Sequence, residues 1–248
     1  MVLYRKDDLF QPGLERWKRD AFEKFELKMT DVQHPFPCIP ATLGHKLHQL
    51  RFGFLPSFKD PSSIRELAEA LNEFSEIYHT TGPYASLVLF YETPADHLAN
   101  VEEYEQIFWD QLGSVSQIDQ RPWPSHIPNN PEDSLWEFCF HGEQYFVYCG
   151  TPAHKNRQSR YFPYLMLAIT PRSVLVEFNQ SKARAAKIKS QIRKRLANYD
   201  SAPAHPDLNT YGQDDNYEWK QYFLRDDDTS IWKCPFHRYV QTKNEIEE

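Results

Sequence analysis

Only eight of the 248 residues are glycine, and none builds the Gly-rich turn that a phosphate loop or a dinucleotide fingerprint requires. Gly-x-Ser-x-Gly and His-Glu-x-x-His are absent as well, which sets aside nucleophile-elbow hydrolases and zincin-type metalloproteases. The four cysteines, Cys38, Cys139, Cys149 and Cys234, include no Cys-x-x-Cys pair. A zinc ribbon or a thioredoxin-type redox centre therefore lacks ligands at the needed spacing, and the cysteines read as thiols of a reducing compartment. No run approaches the ~18 apolar residues of a membrane span. The N-terminus, Met1 to Asp8, turns charged before any apolar stretch of signal-peptide length. The expectation is a cytoplasmic protein with no membrane partner. A basic excess is also missing: the net charge is −7 and the pI about 5.8, which argues against a nucleic-acid partner.

What is present is an ordinary globular balance, 40% apolar and 25% charged, with a high aromatic share of 15%. At this length the core is ample. Leu14, Trp17, Phe22, Phe25 and Met29 recur at near-helical spacing and predict a helix over 12–29. The prolines of His34–Pro40 predict a stiff loop, and 41–50 a short helix carrying His45 and His48. An extended segment follows at 51–55. Ser63-Ile64-Arg65-Glu66 reads as a capping box opening a helix to about Tyr78. Ser86–Tyr91 is a continuous apolar run and reads as a central strand, followed by a helix over 97–112. Proline and asparagine make 121–134 a loop. Leu135–His141 and Gln144–Cys149, split by Gly142-Glu143, form the clearest hairpin. A strand at 165–170, a short element at 174–178 of either kind and a helix over 181–198 complete the reading. No internal repeat and no linker divides the chain. The expectation is a single α+β domain over 1–248, with a central mixed or antiparallel sheet, helices packed against it and a frayed acidic tail at 241–248.

Several groupings can carry chemistry. His154, Arg157 and Arg160 follow the second hairpin strand, in the kind of loop where sites concentrate. A neutral imidazole there can ligate iron, and two guanidinium groups three residues apart can hold carboxylates such as haem propionates; a solvated basic turn is the other reading. Cys38, in the proline-locked loop, is either a small buried hydrophobe or a thiolate ligand, and Cys234 with His237 poses the same choice. Asp214, Asp215 and Glu218 form a loose acidic cluster that can take a cationic group, or an exposed polar loop. His45 and His48 share a helix face and can bind a metal or simply pack. Lys182, Arg184, Lys187, Lys189, Arg193, Lys194 and Arg195 give one helix a basic face of the kind that meets nucleic acid or an anionic membrane; the preferred reading is a solvated helix, with its apolar stripe of Ala185, Ile188, Ile192 and Leu196 docked on the sheet.

The chain resembles the bacterial YqcI/YcgG family over roughly residues 12–240. Phe36-Pro37-Cys38-Ile39-Pro40-Ala41, Trp136-Glu137-Phe138-Cys139-Phe140-His141 and Tyr145–Cys149 carry the likeness. So do Arg157–Pro163, Ala168–Arg172 and Cys234-Pro235-Phe236-His237. Distant relatives are haem-dependent N-hydroxylases of guanidino compounds. The resemblance therefore implies a haem-dependent monooxygenase for a small guanidino or amine-containing substrate, fed by an external electron donor. A non-catalytic haem- or small-molecule-binding protein is the alternative. His154 ranks first as iron ligand, with Cys38 and His237 behind it, Arg157 and Arg160 as propionate clamps, and Asp214, Asp215 and Glu218 as substrate anchors. One departure stands out: the hydroxylases carry His-Pro ahead of Arg-x-x-Arg, where this chain has Thr151-Pro152 and places His154 two residues later.

Overall fold

The computed structural model describes residues 3–94, 97, 99–208 and 216–239. The acidic tail, Asp214 and Asp215 lie outside the described residues. At the centre is a five-stranded sheet, in the order β1-β2-β5-β4-β3: β1 (Leu50–Leu55), β2 (Ser86–Tyr91), β3 (Phe138–Phe140), β4 (Glu143–Gly150) and β5 (Met166–Pro171). Only β1 and β2 run parallel; the remaining pairs are antiparallel. The parallel pair needs a crossover, which α3 (Ser62–Ile77) supplies. The expected mixed sheet with helices against it is what the chain forms.

Side chains alternate across a strand, and β2 shows what that achieves. Leu87, Leu89 and Tyr91 join α3 and α4 (Val101–Gln117) in one core cluster. Val88 and Phe90 face the other way, into Phe22 and Phe25 of α1 (Arg16–Thr30) and Phe52 and Phe54 of β1. The aromatic surplus is mostly this double core: Phe25 meets Phe52, Phe90 and Phe162 edge-on, a favoured ring geometry.

Helix boundaries depart from the periodicity where capping chemistry decides them. No cap forms at Ser63, because α3 begins one residue earlier, after Pro61. The reciprocal cap is at Asn100 and Glu103 instead, and α4 starts there and runs on to Gln117. Pro40 sits inside the first turn of α2 (Ile39–Lys46), where its missing N–H costs nothing. Residues 172–179 form a helix, α5 (Arg172–Asn179). The last helix, α6 (Lys182–Tyr199), buries only Ala185 of its apolar stripe. Ile188, Ile192 and Leu196 stay half-buried, and its main helical neighbour is α5. Among the described residues no helix is long and apolar enough to cross a membrane.

The β3–β4 hairpin turns on His141 (φ 55°) and Gly142 (φ 79°), the two positive angles of a type I′ connection. Gly142 is exposed with open space around it, so a substitution there tests backbone strain alone. Gly142→Ala is expected to cost about 1 kcal/mol and Gly142→Asn less, because asparagine tolerates this region. Urea denaturation checks the order, and an Ala variant as stable as the parent contradicts it.

Candidate functional site

The loop after β4 is closed at its neck. Thr151 N–H donates to Arg160 O (3.0 Å) and Phe162 N–H to Thr151 O (3.0 Å). Inside it, three successive N–H groups, of Lys155, Asn156 and Arg157, donate to the Asp226 carboxylate at 2.8–3.0 Å. Burial alone raises that carboxyl, yet the three bonds outweigh it and hold the group below its usual range. Ser159 is anchored through N–H and Oγ to Asp200, at 2.6 and 2.8 Å.

The sequence-predicted trio does come together here, deeply buried, and its polar atoms are committed to protein. His154 is 2% exposed. Its Nδ1 meets Thr151 Oγ1 at 2.8 Å and its Nε2 meets Leu224 O at 2.8 Å. A carbonyl only accepts, so Nε2 carries the proton and Nδ1 accepts from the hydroxyl. Burial pushes its pKa down to about 4, leaving a neutral ring with both nitrogens engaged. Arg157 donates from Nε to Arg225 O (2.8 Å), from Nη1 to Pro203 O (2.6 Å), and from Nη2 to Asp227 O (3.0 Å) and Asp228 Oδ1 (2.8 Å). Arg160 donates to Tyr222 O and Gln221 O, each at 2.9 Å, and its guanidinium lies 4.3 Å over the Tyr148 ring.

Cys38 occupies the N-cap position of α2. Burial raises its thiol, while the Ala41 N–H and the charge of Arg160 pull the other way, so Cys38 and Arg160 do share a neighbourhood. His237 lies elsewhere, 3.6 Å from Glu132, next to Phe236, which packs on Trp136. Cys234 is core, its thiol raised to about 12 by burial. Glu218 is buried and accepts from Asn216 (2.7 Å) and Gln221 (3.4 Å). His45 is buried against Glu26 (2.8 Å) and His48 meets Asp7 (3.3 Å). Among the described residues no cluster of metal-binding side chains forms.

Sequence reasoning missed a small cleft of about 10 Å³ beside this loop, lined by Glu105, Trp109, His205, Asp207, Trp219 and Arg225 among others. Glu105 Oε2 receives both Arg225 Nε (2.9 Å) and Nη2 (2.7 Å). Its pKa is raised by burial, against the pull of Arg225. The indole N–H groups of Trp109 and Trp219 are buried without a partner, and their rings stand 6.1 Å apart. A signal was available in α4: position 105 falls within the buried stripe of Val101, Tyr104, Phe108 and Leu112, where a carboxylate is out of place unless paired.

A haem does not fit the residues as they are disposed. The imidazole has no open nitrogen, both guanidinium forks are taken by backbone carbonyls, and the neighbouring cleft holds about one water, against the roughly 300–1,000 Å³ of ordinary small-molecule sites.

An α+β domain with a buried, self-bonded Arg-x-x-Arg loop beside a carboxylate-bearing aromatic cleft is the class that fold and site define. The chain belongs to the YqcI/YcgG family, whose sequence profile matches residues 25–237. It is 44% identical to the uncharacterized proteins YqcI and YcgG of Bacillus subtilis (strain 168), in each case over 94% of both chains. It is 31% identical to the putative N(omega)-hydroxy-L-arginine synthase DcsA of Streptomyces lavendulae, over 90% of this chain and 85% of that one. No solved structure gives a match.

The buried neutral His154 has a pH consequence. Its pKa lies below the ordinary 6.5, so the unfolded chain binds the proton more readily. The associated stability is complete above pH 6.5 and declines as the pH falls towards 4, by about 3 kcal/mol in all. In His154→Gln that part of the pH dependence is expected to vanish from urea titrations between pH 7 and 4. An unchanged slope contradicts it.

Proposed function

We propose that this protein is an N-hydroxylase that inserts one oxygen atom into an N–H bond of a small guanidino or amine-containing molecule. The observation carrying the proposal is the 31% identity, over 90% of this chain, to a protein named as a putative N(omega)-hydroxy-L-arginine synthase. In the reaction one atom of O2 enters the substrate nitrogen and the other leaves as water, with two electrons and two protons drawn from an external donor. Haem, the oxygen-activating group that the resemblance implies, would need a site other than His154, Arg157 and Arg160, whose polar atoms are committed to protein.

On the substrate side the reading turns to Glu105, where a guanidino substrate would take the place of the Arg225 side chain, because the space beside it holds about one water. A carboxylate flanked by indole rings suits a planar cation: the carboxylate accepts its N–H groups and the rings attract its charge. Glu105 already holds one guanidinium, that of Arg225, in this way. Trp109 and Trp219 add two unpartnered donors that suit an oxygen on the same ligand. The reading adds Glu105, Trp109 and Trp219 to the substrate-binding candidates; Glu218, next in sequence to Trp219, belongs to its support through Asn216 and Gln221.

The test is purification after haem supplementation, a spectrum, and incubation with L-arginine and other guanidino compounds under O2 with a reduced electron carrier. A Soret band and a product heavier by one oxygen are expected; the absence of both rejects the proposal. Glu105→Gln is expected to raise KM about tenfold or more, since bonds to charged groups are the stronger ones. An unchanged KM removes Glu105 from substrate binding. A second reading, a non-catalytic small-molecule-binding protein, is favoured by the committed imidazole and guanidinium groups. It predicts ligand binding with no oxygenated product.

A further inference from the structure

Helix α6 carries seven basic residues and no acidic one. In a chain of net charge −7, seven positive charges on one helix leave −14 on the rest. Such segregation leaves charges unsatisfied. Lys189 and Arg193 are like charges one turn apart, which costs a helix a few tenths of a kcal/mol. Lys182 and Arg184 stand at the positive end of the helix dipole, where cations are disfavoured. Among the described residues none of the seven pairs with a carboxylate. Arg184 and Arg195 donate to Tyr84 Oη and Phe36 O instead, at 3.1 and 3.3 Å.

The apolar stripe turns inward, with Ala185 buried. The solvent side is an open groove of about 490 Å³ lined by Ala186, Lys189, Ser190, Arg193, Lys194 and Ala197. Small residues between long cations let carboxylate side chains of a partner reach the ammonium and guanidinium groups. A membrane is the poorer match, because the groove is lined by no aromatic and no aliphatic side chain larger than alanine that could enter it. Nucleic acid is poorer too, because the remaining −14 repels a phosphate track that runs past one short helix.

The place of α6 gives the surface a purpose. Its C-terminal end is tied into the candidate site: Asp200 holds Ser159, Ser201 N–H donates to Asn156 O at 2.8 Å, and Arg195 reaches the backbone just ahead of Cys38. A protein docked on α6 therefore stands next to both the Thr151–Arg160 loop and Cys38.

We propose that the basic face of α6 is the docking surface for an acidic electron-carrier protein. The choice of carrier rests on the N-hydroxylase reading, which needs an outside donor; the docking itself rests on the charge pattern. Electron-transfer partners meet through small, charge-steered interfaces whose affinity falls with ionic strength.

The test titrates the full chain with an acidic ferredoxin and, separately, an acidic flavodoxin, by calorimetry at low and high salt. Phosphatidylglycerol vesicles and duplex DNA are run alongside. Binding of at least one carrier is expected, weakened at high salt and at least tenfold weaker for the triple variant Lys189→Glu, Arg193→Glu, Lys194→Glu. Lys59→Glu, far along the chain on another exposed loop, should leave it unchanged, and circular dichroism confirms that the triple variant is folded. Failure of both carriers to bind, equal binding by the triple variant, or tighter binding to vesicles or DNA than to either carrier overturns the proposal. Docking without any oxygenated product leaves the surface standing and rejects the N-hydroxylase reading instead.

Discussion

The buried guanidinium of Arg157 ties together parts of the chain that no strand or helix connects. One side chain bonds the backbone at 203, 225 and 227 and the carboxylate of Asp228. Its own N–H, with those of the two residues before it, is gathered by Asp226. The segments on either side of the undescribed 209–215 are irregular and have few ladder bonds of their own. Here their carbonyls find a donor that is always charged and presents a rigid fork. Desolvating an arginine is expensive, so the arrangement persists because nearly every donor is used. Arg160 repeats the device one turn on, bonding the carbonyls of 221 and 222.

This has a consequence for reactivity. Groups that would serve a cofactor, an imidazole and two guanidinium forks, hold the loop and the 221–228 segment in place instead. The polar chemistry that the scaffold does not take up is next door, around a small cavity: Glu105 in its ion pair to Arg225, and two buried indole N–H groups. Scaffold and cleft share residues, since Arg225 bonds Glu105 through its side chain and Arg157 through its carbonyl. A change at Arg157 therefore reaches the cleft without touching it.

Much of the fold was legible because burial follows period. The apolar run at 86–91 became the central strand, and the hairpin's residues around Gly142 became a type I′ turn. The α4 face was visible in Val101, Tyr104, Phe108 and Leu112. What escaped was decided by contacts distant in sequence. Pro40 looked like a helix breaker but occupies a first turn, where proline is tolerated. The stripe of α6 looked core-facing but finds only α5 and loop segments to cover it. The grouping of His154 with Arg157 and Arg160 could be read from spacing, whereas their partners, 225–228 and 203, lie some 50 to 70 residues away and no local pattern announces them. Glu105 was readable in principle, as a carboxylate on a buried helical face.

Hydrogen exchange at the amides of Lys155, Asn156 and Arg157 tests most directly whether the Arg157–Asp226 arrangement holds the loop. These amides are expected to be protected in the parent protein and to exchange rapidly in Arg157→Lys, with the amides of α4 and the central strands unchanged. Unprotected amides in the parent, or protection that survives the substitution, would contradict the account.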